Sequence, residues 1–241
     1  MTENTTNNNK DFAHKKRSLF GRRQGRSLGG ERTHVINDLL PKLTPNRNLL
    51  NEDSAHPPAS YFDIDHSNYI LEIGFGHGER LAQHAQQEQT TGFLGAEPFV
   101  NGMAAFLKNI DGKPNNNIRV IMDDGMIIAK SLKPETLDAI YILNPDPWHK
   151  TRHHKRRLIN QETLDIFAKI LKSGGKLIMT SDVPNLAEWM CTHANNHPSF
   201  QWTAESRANW ETPPQNWIKT KYEIKGAKGA KKMSYLVYER N

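Results

Sequence analysis

Short apolar runs alternate with segments of helical periodicity from about residue 68 onward. Such runs are typical of strands that are buried on both faces of a sheet. They predict strands over 68–76, 92–98, 118–124, 137–146 and 176–182. The spacing between and after them predicts helices over 79–87, 99–110, 125–132, 157–175 and 184–197. The runs 200–206 and 234–240 predict a final pair of strands that encloses a long polar loop.

The segment 157–175 has the clearest helical pattern. One face would carry Ile159, Thr163, Ile166, Phe167, Ile170 and Leu171. Gly174 and Gly175 predict the end of this helix, because glycine readily adopts the left-handed backbone that follows many helices. Pro184 suits the first turn of the next helix, where a missing N–H costs nothing. The alternation of strands and helices predicts an open α/β sheet with helices on both faces.

The chain length predicts one domain preceded by a basic arm. The 241 residues are enough for a substantial core, and 36% of them are hydrophobic. We predict a flexible basic arm over residues 1–34 and a single domain over residues 35–241. No apolar run reaches the roughly 20 residues that a membrane span needs. The first residues are polar, so no secretion signal is expected.

Cys191 is the only cysteine. An intrachain disulfide and a cysteine-based zinc site are therefore excluded, which favours a reducing, cytoplasmic compartment. His153 and His154 have no acidic or cysteine partner at a spacing that metal sites use. We therefore expect no metal ion.

Positive charge is concentrated in three blocks. Residues 1–34, 148–157 and 219–232 each carry a net charge of +5, whereas the whole chain carries +6. The rest of the chain therefore carries −9. This separation favours a polyanionic partner such as a nucleic acid, although basic runs also occur on solvated surfaces and tails.

A glycine-rich turn follows the first predicted strand. Gly74, Gly76 and Gly78 form the pattern G-x-G-x-G, and glycine lets a ligand approach the backbone closely. Dinucleotide-binding enzymes have a related turn, but the third glycine here comes one residue too early for their pattern. Glu72, inside the strand, would repel a pyrophosphate and would favour a ligand with a cationic centre.

Acidic residues end all five predicted parallel strands, where open α/β sheets bind their ligands. Glu97 lies 19 residues after Gly78, where a carboxylate accepts hydrogen bonds from both ribose hydroxyls. Asp124, or its neighbour Asp123, is placed to accept a hydrogen bond from an adenine amino group. S-adenosylmethionine (SAM) has a sulfonium, an ammonium and no phosphate, so the carboxylate set favours SAM over NAD. For any single residue the alternative is a structural role at a helix N-terminus.

The stretch 143–158 combines two prolines, an aspartate and a tryptophan with a basic tail. Pro145 and Pro147 restrict the backbone and predict a rigid, extended platform for Asp146 and Trp148. The carboxylate can accept hydrogen bonds from a base edge, and an indole stacks on a base with about 1–3 kcal/mol. We expect the basic residues that follow to contact phosphates: Lys150, Arg152, Lys155, Arg156 and Arg157.

Five segments resemble the bacterial tRNA (guanine-N7-)-methyltransferases. They are LEIGFGHGERL, GAEPF, NPDPWHKTRHHKRRL, SDVPNLAEWM and TKYEIKGAKGAKKMSYLVYER. The resemblance runs in order from about residue 68 to 240. It implies a Rossmann-like class I methyltransferase fold, with a mostly parallel sheet, helices on both faces and an antiparallel C-terminal strand. It also implies methyl transfer from SAM to N7 of the guanine at position 46 in the tRNA variable loop.

The resemblance further implies roles for individual residues. Asp146 would be the catalytic residue. The SAM site would be formed by Glu72, Gly74, Gly76, Gly78, Glu97, Asp124 and Asp146. The guanosine would be bound by Lys150, Asp182, Thr220, Lys221, Tyr222 and Glu223. The chain departs from the family pattern at Asn144, where phenylalanine is common. The resemblance implies a monomer, with a small homo-oligomer as the alternative.

Two other functions stay open at the level of the sequence. Exocyclic-amine methyltransferases carry a motif similar to NPDPW after the fourth strand, in which Asn144 would accept a hydrogen bond from the amino group. The inserted Asp146 and the basic tail argue against that activity. The other alternative is a non-catalytic RNA-binding protein on a methyltransferase scaffold, which would bind tRNA without SAM.

Overall fold

A computed structural model of the protein describes residues 20–226 and 232–241. Its strands are β1 (Asn68–Ile73), β2 (Thr91–Ala96), β3 (Ile118–Ile121), β4 (Leu137–Leu143), β5 (Leu171–Ser181), β6 (Phe200–Trp202) and β7 (Ser234–Arg240). They form one sheet in the order β3-β2-β1-β4-β5-β7-β6. All neighbours are parallel except β7, which is antiparallel to β5 and β6. The predicted mostly parallel sheet with an antiparallel C-terminal strand is confirmed.

Helices cover both faces of this sheet, as predicted. They are α1 (Gly30–Asp38), α2 (Leu40–Leu43), α3 (Glu79–Gln87), α4 (Val100–Ile110), α5 (Gly125–Ser131), α6 (Gln161–Ile170), α7 (Pro184–Asn195), α8 (Arg207–Glu211) and α9 (Lys221–Lys225). One core lies under α1, α3 and α4 and includes Phe93, Met103 and Phe106. The other lies under α5, α6 and α7 and includes Leu71 and Phe167. Burial of these side chains is the main stabilising contribution to the fold.

The helix predicted over 157–175 is shorter in the structure. Asn160 caps α6, because its side chain accepts a hydrogen bond from Thr163 N at 3.1 Å while Thr163 Oγ1 accepts one from Asn160 N at 3.1 Å. The helix ends at Ile170, and Leu171 already pairs with Leu137 of β4. Gly174, with φ of 77°, lies in an irregular part of β5 and does not end the helix. Sheet pairing therefore overrides the helical pattern at this end.

Three further observations concern the predicted domain boundary, the loop before β7 and the length of the helices. Helix α1 spans the boundary that the sequence places after residue 34, so the division between arm and domain stays a prediction. The polar loop between β6 and β7 contains α8 and α9 in its described part. In residues 20–226 and 232–241, no helix has both the length and the apolar character needed to cross a bilayer.

Candidate active site

A cavity of about 410 Å³ opens at the carboxyl edge of the sheet. Its volume is in the range of small-molecule sites, about 300–1,000 Å³. Residues that follow four different strands line it: Gly74, Gly76, Glu97, Asp124 and Asp146. Parallel strands bring these residues together, because their carboxyl ends meet at one edge of the sheet. The expected ligand position is thus matched by a real cavity.

The glycine turn after β1 forms one wall of the cavity. Gly74 and Gly76 have φ of 72° and 59°, and a Cβ at either position would meet no described atom within 4 Å. Their backbone is therefore open to a ligand. Gly78, with φ of 66°, has a different role, because a Cβ there would lie 2.3 Å from the ring of Phe106. It allows α3 and α4 to pack closely and does not line the cavity.

Glu97 holds the turn and the start of α4 together. Its Oε2 accepts a hydrogen bond from Gly76 N at 2.6 Å, and its Oε1 accepts one from Phe99 N at 2.8 Å. Burial raises the pKa of Glu97, the two hydrogen bonds oppose that rise, and the nearby charge of Asp146 adds to it. A carboxylate in this position is oriented before any ligand arrives.

The structure separates the two neighbouring aspartates after β3. Asp124 borders the cavity and caps α5, since its Oδ1 accepts a hydrogen bond from Met126 N at 3.0 Å. Asp123 faces another side, where its carboxylate lies 4.0 Å from the guanidinium of Arg23. This geometry favours Asp124 as the residue that faces a ligand.

Glu72 lies away from the cavity lining. It is 1% exposed, and its Oε2 accepts a hydrogen bond from Arg80 Nη1 at 3.0 Å. Burial raises the pKa of Glu72, and the guanidinium of Arg80 opposes that rise. Arg80 also stacks on Tyr141 at 3.5 Å and faces Trp217 at 5.2 Å. Glu72 and Arg80 thus form a buried pair behind the glycine turn, and loss of one partner would leave an uncompensated buried charge.

The loop after β4 is bent where the sequence predicted an extended platform. Asn144 and Trp148 have φ of 49° and 45°, a left-handed conformation that is uncommon outside glycine. Asn144 N donates to Thr180 O at 3.0 Å, which fixes the start of the loop on β5. Asp146 is open to solvent on one side, yet partial desolvation of its carboxyl group raises its pKa. The loop presents Asp146 and Trp148 to the cavity.

The prediction that Arg157 contacts phosphate is wrong. It is 2% exposed, and its guanidinium donates to Pro147 O at 3.0 Å and to Asn185 Oδ1 at 2.6 Å. A buried guanidinium cannot contact phosphate, so Arg157 anchors the loop to α7. Arg152 and Lys155 are exposed and remain available to a polyanion.

The distal segment that the family resemblance implicates is folded against strand ends and α3. Tyr222 donates its hydroxyl hydrogen to Asp182 Oδ2 at 2.8 Å, so two predicted guanosine-binding residues meet. Thr220 and Glu223 form the capping box of α9. Lys221 lies 3.2 Å from Glu79 at the start of α3. Lys150 is exposed on the loop after β4.

Sequence reasoning missed part of the site. Phe20, Gly21 and Arg22 line the cavity, although the sequence assigns them to a basic arm. Arg156 also lines it, with its guanidinium 5.1 Å from the ring of Trp148. The available signal is weak: two glycines, Gly21 and Gly25, interrupt an otherwise basic segment.

The charges of the cavity suit SAM. Three carboxylates, those of Glu97, Asp124 and Asp146, line the cavity together with two guanidinium groups, those of Arg22 and Arg156, so the charged side chains of the lining sum to −1. The glycine turn adds backbone and no charge. Burial raises the pKa of Glu97 and of Asp146, which means that desolvation disfavours the charged form of both carboxyl groups. A cationic centre beside these carboxylates would relieve that cost, whereas a pyrophosphate beside them would increase it.

The sheet order, its single antiparallel strand and the carboxylate-lined cavity define a Rossmann-like class I methyltransferase. A family model described as a putative methyltransferase matches residues 66–236. The tRNA (guanine-N(7)-)-methyltransferase of Rhizobium meliloti is 39% identical over 92% of this chain and 95% of that protein. The enzyme of the same name from Brucella anthropi is 36% identical over 92% of this chain and 94% of that protein. The chain belongs to the family of tRNA (guanine-N7-)-methyltransferases.

Among solved structures, an rRNA methylase from Streptococcus thermophilus has a TM-score of 0.48 at 12% identity, over 89% of this chain and 99% of that chain. The family assignment rests on the sequence relatives and on the match to the family model.

Proposed function

We propose that this protein transfers the methyl group of SAM to N7 of a guanine in tRNA, at position 46 of the variable loop. The observation that best supports this proposal is the position of Asp146. It lies on a bent loop that borders the carboxylate-lined cavity and leads into an exposed basic turn. The near full-length similarity to curated tRNA (guanine-N7-)-methyltransferases supports the same activity.

SAM supplies an electrophilic methyl group on a sulfonium. In the proposed site, Glu97 accepts hydrogen bonds from the ribose hydroxyls and Asp124 accepts one from the adenine amino group. Gly74 and Gly76 let the backbone approach the ligand closely. Asp146 places a negative charge near the cationic part of the donor. Glu72, which lies behind the turn, supports the site through Arg80.

Guanine N7 needs no general base. Its lone pair lies in the ring plane and carries no proton, so N7 forms the new bond to carbon as the bond from carbon to sulfur breaks. The sulfur leaves as a neutral thioether, S-adenosylhomocysteine, and the base becomes cationic. Catalysis then depends on in-line positioning and on negative charge near the developing cation. Asp146 and Glu223 are the residues we assign to that charge.

The same carboxylates can select guanine. A carboxylate accepts hydrogen bonds from guanine N1–H and the 2-amino group, and adenine cannot reproduce that pair. Tyr222 and Asp182, joined by a hydrogen bond of 2.8 Å, and the exposed Lys150 complete the proposed guanosine site. Arg152 and Lys155 are proposed to contact tRNA phosphates. We further propose a monomer that acts in the cytoplasm without a metal ion.

A transfer assay tests this function directly. Incubation with tritiated SAM and bulk unmodified tRNA, followed by nuclease digestion, should give labelled N7-methylguanosine. Asp146→Ala should reduce turnover at least 100-fold, on the order of a lost electrostatic stabiliser, while the melting temperature stays close to that of the parent. No labelled nucleoside with the folded parent protein would refute the proposal, and near-normal turnover of folded Asp146→Ala would refute the role of that residue.

One observation favours a second candidate. The side-chain oxygen of Asn144 is buried at the cavity and has no hydrogen-bond partner among the described residues. It could accept a hydrogen bond from an exocyclic amino group, as in exocyclic-amine methyltransferases. The same digestion decides between the two, because that activity would give N6-methyladenosine instead of N7-methylguanosine.

A further inference from the structure

Residues 20–26, which we call the strap, border the cavity through Phe20, Gly21 and Arg22. Three hydrogen bonds attach one end of the strap to the start of α4. Val100 N donates to Arg23 O at 2.9 Å, and Gly25 N donates to Asn101 Oδ1 at 2.7 Å. Asn101 Nδ2 donates to Arg26 O at 2.8 Å. The oxygen and the nitrogen of the Asn101 carboxamide therefore both hydrogen-bond to the strap backbone.

The other end of the strap rests on the loop after β4. The edge of the Phe20 ring faces Trp148, with ring centroids 6.1 Å apart. The guanidinium of Arg156 lies 4.5 Å from the Phe20 ring and 5.1 Å from the Trp148 ring. Contacts of this kind add about 0.5–1.5 kcal/mol for an aromatic pair and about 0.5–1 kcal/mol for an exposed cation on a ring.

Glycine allows the strap to approach its neighbours closely at two points. A Cβ on Gly25 would lie 2.8 Å from Asn101 Oδ1 and 3.1 Å from the Phe99 ring. A Cβ on Gly21, where φ is 114°, would lie 3.0 Å from Asp146 Oδ2. A side chain at either position would displace the strap or the side chain that it meets.

We propose that the strap is the outer wall of the methyl-donor site and that Asn101 is the positioning residue that holds it closed. This inference rests on the proposed function. The strap is attached on both sides of the cavity, by hydrogen bonds to α4 and by aromatic contacts to the loop that carries Asp146. The stretch between these attachments, Gly21 and Arg22, lines the cavity. We expect the attached strap to slow the departure of the donor and of its product.

Asn101→Ala tests whether the hydrogen bonds from Asn101 hold the strap in place. The change removes two hydrogen bonds of ordinary net strength, so S-adenosylhomocysteine should dissociate about tenfold faster or more. Gly25→Val, which forces the strap away from Asn101 and Phe99, should act in the same direction. Asn109→Ala is the matched control, because Asn109 is exposed on the same helix and its side chain accepts a hydrogen bond from Lys113, with no hydrogen bond to the strap among the described residues.

The rate is measured by stopped-flow displacement of S-adenosylhomocysteine from the full-length protein, together with the melting temperature of each unliganded variant. The inference predicts faster dissociation for Asn101→Ala and Gly25→Val at a nearly unchanged melting temperature. Equal dissociation rates for Asn101→Ala, Asn109→Ala and the parent would overturn it.

Limited trypsin digestion gives a readout that a purely structural role would not move. S-adenosylhomocysteine should slow cleavage after Arg22 and Arg23 at least fivefold in the parent and in Asn109→Ala, and less in Asn101→Ala. Cleavage at these bonds that is indifferent to the ligand would contradict a closing strap. If the parent protein binds no S-adenosylhomocysteine, the proposed function itself fails. Binding without any effect of Asn101 removes the strap inference alone.

Discussion

At the scale of single residues, the ionisation of Asp146 connects structure with activity. Partial desolvation raises its pKa above the ordinary value for aspartate, so acidification protonates it earlier than an exposed aspartate. We assign the role of Asp146 to its charged form. On acidification, kcat/KM should therefore begin to fall at a higher pH than it would if Asp146 had the pKa of an ordinary aspartate. A bound cationic donor lowers the pKa again, so the fall in kcat should lie at lower pH.

Initial rates between pH 4 and pH 8 check this expectation. The range extends above the ordinary pKa of aspartate because the pKa of Asp146 is raised. Asp146→Asn should be slow and should lack the acidic limb, whereas Asp111→Asn, at an exposed position, should keep it. A raised pKa in the folded state means that protonation of Asp146 favours folding, so this loss is not unfolding caused by Asp146. Melting temperatures at each pH verify that. An unchanged acidic limb in Asp146→Asn would assign it to another group.

At the scale of elements, the loop between β4 and α6 depends on a buried anchor. Arg157 joins Pro147 of this loop to Asn185 of α7. Arg157→Lys keeps the charge but loses the planar fork that reaches both partners. We expect turnover to fall at least tenfold in single-turnover assays, because Asp146 is no longer held in place.

Lys155→Ala is the matched change on the exposed side of the same basic run. It should weaken tRNA binding, lower the slope of log K against log salt by about 1, and keep turnover at saturating tRNA. Arg157→Lys should leave that slope unchanged. The two variants are compared by filter binding at several salt concentrations. A reduced slope for Arg157→Lys would mean that its guanidinium reaches phosphate after all.

At the scale of the whole molecule, the three basic blocks should make tRNA binding strongly dependent on salt. We propose that the basic arm takes part in this. Residues 1–19, which lie outside the described residues, contain four Lys and Arg and two Asp and Glu. Removal of residues 1–19 should lower the slope of log K against log salt for tRNA binding by about 2–3. SAM affinity should stay unchanged, because the strap is retained. An unchanged slope would leave this part of the arm without a role in tRNA binding.

Much of the fold was predictable from local pattern. Strands buried on both faces must be apolar along their whole length, so each strand of the parallel sheet is visible as a short apolar run. Glu97, Asp124 and Asp146 follow such runs, and parallel strands bring their carboxyl ends together. Their meeting at one cavity therefore follows from order along the chain. The end of α6 was not predictable, because β5 pairing begins at Leu171.

The remaining parts of the site depend on where side chains point. Arg157 and Lys155 belong to one basic run, yet one is buried against α7 and the other is exposed. Glu72 precedes the glycine turn, yet its carboxylate is paired with Arg80 and lies outside the cavity lining. A local sequence pattern indicates charge and periodicity, but it does not indicate which way a side chain points in the folded protein.

The sequence by itself determined the order of strands and helices, the carboxylates at the strand ends and the chemistry that they favour. Only the tertiary structure decided which charges face the cavity and which are buried in pairs. It also placed the strap over the site, through a contact between Gly25 and Asn101, 76 residues apart in the chain. The physical reason is that backbone preference and burial act locally, whereas contacts between distant segments are decided by packing.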